Sequence, residues 1–395
     1  MHARSIGVLG VAGIAGGLLA GAALFGSGIT ARAFSGAPST LDALLERDDA
    51  STKPEGPGQG SQQESDMKAT KVAAEASQAA FSRSAFDITR LSESRVEELA
   101  TKLTPSERHI LLSKGTERPF CGTLLDNKKQ GVYTCKLCDL PLFKSDDKFN
   151  SGTGWPSFFQ PFDAEHIAYT KDASHGMVRV EITCARCDGH LGHVFDDGPK
   201  PTGLRYCLNS ESLSFIEAEK DGSIRWPEGT GPIATEVAYF AGGCFWGVED
   251  RFQQTPGVIN SVSGYQGGHK DNPTYKEVCY SDTGHAETVM VTFDPKRVSY
   301  RQLLEKFFAY HNPTTLNRQG PDVGTQYRSA IFTANEAQHK EALAFIAEQQ
   351  QTPKFKDRKI VTQVTPVSEA GVFYAAEEYH QDYHEKNGGH CAMPE

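Results

Sequence analysis

Two Cys-x2-Cys turns, Cys135–Cys138 and Cys184–Cys187, constrain this chain more than any other feature: 45 residues separate them, and they are expected to meet. Each turn brings two sulfurs to one point, and two turns together complete the tetrahedral set of four thiolates that structural zinc takes. Held that way the four cysteines are inert, and the metal adds folding free energy to a loop-rich domain with a small core. Two disulfides are the other reading, open to a chain that reaches an oxidising compartment. A two-residue spacer, however, makes a tight disulfide of the redox-active kind rather than a staple. Pairing and spacing favour zinc on Cys135, Cys138, Cys184 and Cys187.

Five further cysteines bring the total to nine, an odd number that a simple disulfide scaffold does not produce. At least one thiol is therefore free, metal-bound or reactive. The 395 residues leave room for two ordinary domains plus extensions. A net charge of −10 with no basic cluster argues against nucleic acid as a partner.

The N-terminus reads as an export signal over residues 1–33. Arg4 precedes 26 uncharged residues, Ser5 to Thr30, and Ala31-Arg32-Ala33 offers a small-residue cleavage site. The uncharged run also has the length of a membrane anchor, so N-terminal membrane attachment is a second reading and organelle targeting a third. The first two place the bulk of the chain outside the cytoplasm, in a periplasmic or other extracytoplasmic space. Residues 34–91 are rich in Ser, Ala, Gln, Gly, Glu and Lys and lack a sustained apolar period. They read as a disordered tether, with a solvated helix within 67–81 as an option.

Order is expected from Ser92. Ser94-x-x-Glu97 and Thr104-Pro105-Ser106-Glu107 both have the form of a capping box. From 120 to 218 short β-type runs alternate with Gly, Pro and Asp, which predicts a small, mainly β domain over 92–218. Residues 219–235 read as a linker. Beyond it, Val237–Ala241 predicts a buried strand, Gly247–Gln254 a helix, and Ser299 and Asn335 open two more helices. This half, 236–395, is α/β or α+β.

Two remaining thiols sit in dense motifs. Cys207 lies in Arg205-Tyr206-Cys207-Leu208-Asn209-Ser210, shortly after Gly189-His190-Leu191-Gly192-His193-Val194-Phe195. An arginine beside a thiol favours the thiolate, and two histidines can deliver a proton. An isolated cysteine here is better read as a buried strand residue beside surface histidines. This one is accompanied by Ser151-Gly152-Thr153-Gly154-Trp155-Pro156-Ser157-Phe158 and by the four-cysteine knuckles. Together these motifs resemble methionine sulfoxide reductase B over residues 92–218. The resemblance implies that Cys207 attacks the sulfur of the R epimer, that His193 with His190 serves proton delivery, and that Arg205 activates the thiol. Asn209 would support the site and Trp155 would wall the methyl pocket. Many members carry their resolving cysteine where this chain has Thr153. Others place it in the earlier loop, which here holds Arg118-Pro119-Phe120-Cys121-Gly122, so the resemblance assigns Cys121 that role. Direct reduction of Cys207 by an external thiol is the alternative.

Cys244 follows a predicted strand and opens a predicted helix in Gly242-Gly243-Cys244-Phe245-Trp246-Gly247. A sulfur at the positive end of a helix dipole is stabilised as thiolate. In Gly284-His285-Ala286-Glu287-Thr288, Glu287 shares a strand face with Val289, Val291 and Phe293. A carboxyl on an apolar face stays protonated and can donate a hydrogen bond; a solvent-exposed strand-end Glu is the plainer alternative. The runs GGCFWGVE, NPTYKEV, TGHAET and DVGTQYRSA, in this order, resemble methionine sulfoxide reductase A over about 236–391. The resemblance implies a ferredoxin-like plait, attack by Cys244 on the S epimer, and hydrogen bonds to the sulfoxide oxygen from Glu287, Tyr275 and Tyr327, Glu287 being the acid. Phe245 and Trp246 would enclose the methyl group and Asp322 would help position the substrate. Cys391, in a Gly-rich tail, is the implied resolving thiol, and Cys279 a buried neutral one.

Oxidation makes methionine sulfur a stereocentre, and one reductase handles each epimer. The two resemblances thus imply a bifunctional repair enzyme acting on oxidised proteins and peptides, and on free methionine sulfoxide in the S form. Its chemistry runs from thiolate attack through a sulfenic acid to a protein disulfide, with oxygen leaving as water and a thioredoxin-like reductant restoring the thiols. No nucleotide or haem motif is present. A thiol peroxidase or thiol–disulfide oxidoreductase is the competing class, disfavoured because neither thiol sits in Cys-x-x-Cys.

Overall fold

A computed structural model describes residues 80–388, apart from the side chain of His175. The expected export signal, the part of the expected tether up to residue 79, and Cys391 lie outside the described residues. Among those described, no helix is long and apolar enough to cross a membrane.

Helix α1 (Glu93–Ala100) starts at Ser92, whose hydroxyl accepts from the Arg95 N–H. The expected cap at Ser94 is therefore displaced by two residues. Ser92 has the extended backbone a cap requires, while Ser94 already lies in the first turn and its hydroxyl meets that of Ser92 at 3.0 Å. Helix α2 (Pro105–Ser113) has the expected reciprocal box between Thr104 and Glu107, with proline in its first turn.

Nine strands follow: β1 (Gly131–Cys135), β2 (Pro141–Lys144), β3 (Lys148–Phe149), β4 (Ser157–Phe158), β5 (Ile167–Asp172), β6 (Arg179–Cys184), β7 (His190–Phe195), β8 (Arg205–Leu208) and β9 (Leu213–Glu217). They form an antiparallel sheet in the order β3-β4-β8-β7-β6-β5 and a smaller one in the order β2-β1-β9. The cysteine turns link β1 to β2 and β6 to β7, and they are built alike. Asp139 and Asp188, each just after a second cysteine, both adopt φ 60. Each donates its N–H to the carbonyl of the first cysteine, at 2.9 and 2.8 Å. The core beneath is aromatic, with Phe143 stacked on Phe158 at 4.6 Å and Tyr133 and Tyr206 fully buried.

The second half contains β10 (Glu236–Gly242), α3 (Phe245–Gln253), β11 (Val258–Gln266), α4 (Tyr275–Tyr280), β12 (Ala286–Phe293), α5 (Tyr300–Tyr310), β13 (Arg318–Gln319), β14 (Asp322–Val323), β15 (Ser329–Thr333), α6 (Glu336–Gln350), β16 (Gln363–Pro366), α7 (Val367–Ala370), β17 (Tyr374–Ala375) and α8 (Tyr383–Asn387). Its sheet runs β16-β15-β10-β12-β11-β17, antiparallel except for β15 with β16. Taken as β10-α3-β11-β12-α5-β15, the central unit has the split βαβ arrangement. Thr274 and Ser299 cap α4 and α5 with reciprocal boxes, and Asn335 caps α6. Leu303, Leu304 and Phe307 of α5 are fully buried against the sheet with Phe240 and Phe252.

Residues 80–91, read from the sequence as part of a disordered tether, are ordered. Residues 80–91 form a strap with buried side chains, closed by a bridge between Phe81 and Asp87 and by Ala85 in the left-handed region. Phe86 meets Phe162 and Trp226 edge-on at 5.6 and 5.0 Å, and Ile233 donates its N–H to the Ala85 carbonyl. The segment read as a linker thus packs on the segment read as a tether. Apolar side chains spaced irregularly in polar surroundings do not announce this, because the burial is supplied by distant partners.

Phe86 is 3% exposed, so Phe86→Ala is expected to cost about 3 kcal/mol. Phe120→Ala, at a side chain 69% exposed, is expected to stay within about 0.5 kcal/mol of the parent. Urea unfolding of the two variants checks both.

Candidate active sites

Cys207 occupies the middle of the larger sheet in the first half. Its direct ladder partners are Ser157 on β4 and His193 on β7, which puts all three side chains on one face, with ~5 Å between neighbouring Cβ atoms. Thr153 Oγ1 lies 3.9 Å from its sulfur, and Ser151 Oγ joins the hydroxyls of Thr153 and Ser157 at 2.8 and 2.7 Å. Burial pushes the Cys207 thiol up, and Arg205, Thr153 and Ser157 only partly offset this. The resting form is therefore the thiol, where the arginine alone suggests a thiolate. Arg205 itself is clamped on Asp197 through Nε and Nη2, at 2.8 and 2.9 Å, and lies over the Phe195 ring.

The two histidines are oriented by carboxylates. His193 Nε2 donates to Asp172 at 2.8 Å, and His190 Nδ1 donates to Glu181 at 2.7 Å. Because a carboxylate only accepts, the neutral rings carry their protons on those nitrogens. Burial lowers both histidines and keeps them neutral. Hydrogen bonds from Ser174, His193 and Arg179 hold the Asp172 carboxyl far below the usual range.

Glu117 is the organising residue that sequence reasoning missed. Its carboxyl accepts the N–H groups of Ser210 and Glu211, at 2.8 and 3.1 Å. Its carbonyl accepts Trp155 Nε1 at 3.2 Å, and its N–H donates to Asn209 Oδ1 at 3.1 Å. Asn209 and Trp155 are thus fixed by one loop. The same loop carries Cys121, which is exposed. On one side of it Phe120 donates its N–H to the Gly154 carbonyl at 2.8 Å; on the other Gly122 lies so close to Ser210 and Glu117 that a Cβ could not fit.

The four knuckle cysteines are buried, and their sulfurs all lie within 4.8 Å of one another. Cys135 faces Cys187 and Cys138 faces Cys184, each pair at 3.5 Å. Four Zn–S bonds of about 2.3 Å make a tetrahedron with edges of about 3.8 Å, so the set fits the metal. It does not have the separation of about 2.05 Å that disulfides need.

Cys244 is the N-cap of α3. The next residue, Phe245, donates its N–H to Glu287 Oε2 at 3.0 Å, which brings the carboxyl to the helix start. Gly243, at φ 100, makes room for Gln319, whose side chain a Cβ would meet at 2.6 Å. Glu287 is 2% exposed, and burial, with the charge of Asp322 adding to it, pushes its carboxyl up to about 8. Tyr275 and Tyr327 are held protonated, first by burial. Tyr327 feels the charges of Glu287, Cys279, Asp322 and Cys244, so these groups share one cluster. Cys279 is partly buried, one helical turn from Tyr275, and burial raises its thiol.

Phe245 is 1% exposed and contributes to the core; its ring meets His380 at 5.1 Å. Trp246 is held more openly. Its Nε1 donates to His380 Nδ1 at 3.0 Å, and its ring stacks on Tyr383 at 3.7 Å and 5°. Behind it, Glu249 accepts the N–H groups of Ser263 and Asp382, both at 3.1 Å. Burial, followed by the charge of Asp382, pushes Glu249 up to about 8. The run Glu377-Glu378-Tyr379-His380-Gln381-Asp382-Tyr383-His384 was the signal for this wall, dense in groups that need partners.

Comparison with known proteins divides the chain at the same place. Residues 103–217 match the family model described as the SelR domain, and residues 236–394 the one described as peptide methionine sulfoxide reductase. A peptide methionine sulfoxide reductase MsrB of Caulobacter vibrioides is 56% identical over 140 residues, 35% of this chain and 88% of that protein. A peptide methionine sulfoxide reductase MsrA of Methanosarcina acetivorans is 57% identical over 153 residues, 39% of this chain and 79% of that protein. Among solved structures, reduced Mxr1 of Saccharomyces cerevisiae is 36% identical and covers 45% of this chain and 93% of its own, with a TM-score of 0.38.

Glu117→Ala leaves the buried N–H groups of Ser210 and Glu211 without their acceptor. A loss of about 2–3 kcal/mol is expected, read as a lowered urea midpoint, while Glu117→Gln retains part of the stability.

Proposed function

Because the chain belongs to the peptide methionine sulfoxide reductases, with a type B module at residues 103–217 and a type A module at 236–394, we propose a division of labour between its thiols. The enzyme reduces methionine sulfoxide of both configurations. In the proposed division Cys207 acts on the R epimer and Cys244 on the S epimer. The observation that carries this is that each thiol has its own proton-transfer group, the neutral His193 opposite Cys207 and the buried Glu287 at the start of the helix that Cys244 caps.

In the first half the sulfur of Cys207 bonds to the sulfoxide sulfur while its oxygen gains a proton delivered by way of His193, with His190 in support. Oxygen passes to Cys207 as a sulfenic acid and the thioether leaves. Cys121 then displaces the oxygen as water, forming a disulfide. Trp155 walls the methyl group, and Arg205 stabilises the attacking sulfur as its proton leaves. In the second half Cys244 does the same at the start of a helix, where the dipole favours the thiolate. Glu287 gives the proton, Tyr275 and Tyr327 hold the oxygen, Asp322 orients the substrate, and Phe245 and Trp246 enclose the methyl group. Cys391 resolves the sulfenic acid. Each cycle oxidises two thiols to a disulfide, reduces one sulfoxide and releases one water, so an external dithiol of the thioredoxin kind must return the electrons.

Zinc on Cys135, Cys138, Cys184 and Cys187 is the proposed structural metal, and its chemistry is confined to holding β1, β2, β6 and β7 together. The character of residues 1–33 supports export, with the signal cleaved or kept as an anchor. Oxidised proteins and peptides are the proposed substrates there.

Two results test this reading. With separated epimers, Cys207→Ser is expected to abolish turnover of the R form and leave the S form intact, and Cys244→Ser the reverse; either variant losing both epimers contradicts it. Cys121→Ser is expected to stop thioredoxin-driven turnover of the R form while one round of reduction still occurs. The pH dependence follows from Glu287. Its carboxyl is protonated below about 8, so the single-turnover rate on the S epimer is expected to fall as pH rises through that value. Glu287→Gln removes this limb and lowers the rate by about a hundredfold or more.

A further inference from the structure

Residues 80–91 lie outside both matched regions, which begin at 103 and 236, yet they touch both halves. On the first half Ser82 Oγ meets His166 Nε2 at 2.8 Å and Ser84 Oγ donates to Asp163 at 2.6 Å. Between them Arg83 donates its backbone N–H to Glu165 at 2.8 Å. The Arg83 guanidinium bridges the two halves: its Nε meets Glu165 Oε1 at 3.4 Å, and its Nη1 reaches Asp382 Oδ2 of the second half at 2.9 Å.

Asp382 is an unusual residue to leave to a surface ion pair. Its side chain is 9% exposed, and its backbone sits at φ 54, in the left-handed region that Asp enters more readily than most residues with a Cβ but still at a cost. Such a turn persists only where its surroundings over-determine it. Three groups do so here. The Glu249 carboxyl accepts the Asp382 N–H, Gln253 Nε2 donates to Oδ1 at 2.6 Å, and Arg83 takes Oδ2. The Asp382 carboxyl thus lies near that of the buried Glu249, and the Arg83 guanidinium pairs with the former. Exposed ion pairs contribute little. Removing the cation from a buried carboxylate is different, because it leaves a charge without compensation.

The residue after Asp382 is Tyr383, whose ring stacks on Trp246; two residues before it, His380 accepts the Trp246 indole N–H. We infer that Arg83 is a positioning residue for the pocket at Cys244: by pairing with Asp382 it fixes the turn that lays Tyr383 and His380 against Trp246. The S-epimer pocket is therefore completed by a residue that precedes the type B module in sequence. This inference rests on the assignment of Trp246 to that pocket.

The test uses the full chain with peptide R- and S-sulfoxides and dithiothreitol as reductant. Arg83→Ala is expected to raise KM for the S epimer about three- to tenfold with kcat within about twofold, and to leave R-epimer kinetics unchanged. Arg83→Lys, which keeps the charge, is expected to recover most of the loss. In the Trp155→Phe, Trp226→Phe background Trp246 is the remaining tryptophan, and Arg83→Ala is expected to increase its quenching by acrylamide. Unchanged KM together with unchanged quenching overturns the inference, as does an equal loss on both epimers, which marks the strap as general scaffold. Trp246→Ala, measured alongside, tests the pocket assignment separately: if it leaves KM for the S epimer unaltered, that assignment fails, while quenching still reports on the tie.

Discussion

Burial of ionisable side chains is the interaction on which both sites depend. A sulfoxide oxygen leaves only with protons, and at neutral pH an exposed carboxyl has none to give. In the second half, a carboxyl at the mouth of α3 with 2% exposure is pushed up to about 8, and the tyrosines around it are held protonated for the same reason. In the first half, burial acts on imidazole in the opposite sense, lowering His190 and His193 so that each ring keeps one nitrogen without a proton. Glu181 and Asp172 decide which nitrogen that is. In the proposed mechanism two unrelated folds thus reach related chemistry by different proton-transfer groups, a protonated carboxyl in one and a neutral imidazole in the other, each kept in that form by burial.

The scaffold serves these burials. In the first half the two cysteine turns join β1 to β2 and β6 to β7, and the pairing of β7 with β8 sets His193 opposite Cys207. In the second, the βα junction at Gly243 and Cys244 places a helix start beside the strand that carries Glu287. The strap joins the two. Arg83 extends from a loop anchored on the first half to a buried carboxylate of the second, so an element with no place in either module holds part of a pocket wall.

What the sequence made legible was local. Cysteine spacing marked the four-sulfur cluster, capping residues marked α2, α5 and α6, and the alternation after Ala286 put Glu287 on the apolar face. The misses share a physical cause. Glu117 contacts Asn209 across 92 positions, and Arg83 contacts Asp382 across 299, so no periodicity links them. The displaced cap is a smaller case: Ser92 and Ser94 are chemically equivalent, and only the backbone geometry at Ser92 chooses between them. Arg205 shows the limit of neighbour-based reasoning, since a charge two residues away does not outweigh the burial of Cys207.

In the proposed division of labour each epimer oxidises its own thiol pair. The most direct measurement is disulfide mapping by mass spectrometry after the reduced chain meets one equivalent of a peptide carrying a single sulfoxide epimer. A Cys207–Cys121 linkage is expected with the R epimer alone and a Cys244–Cys391 linkage with the S epimer alone. Oxidation of Cys244 by the R epimer, or of Cys207 by the S epimer, would contradict it.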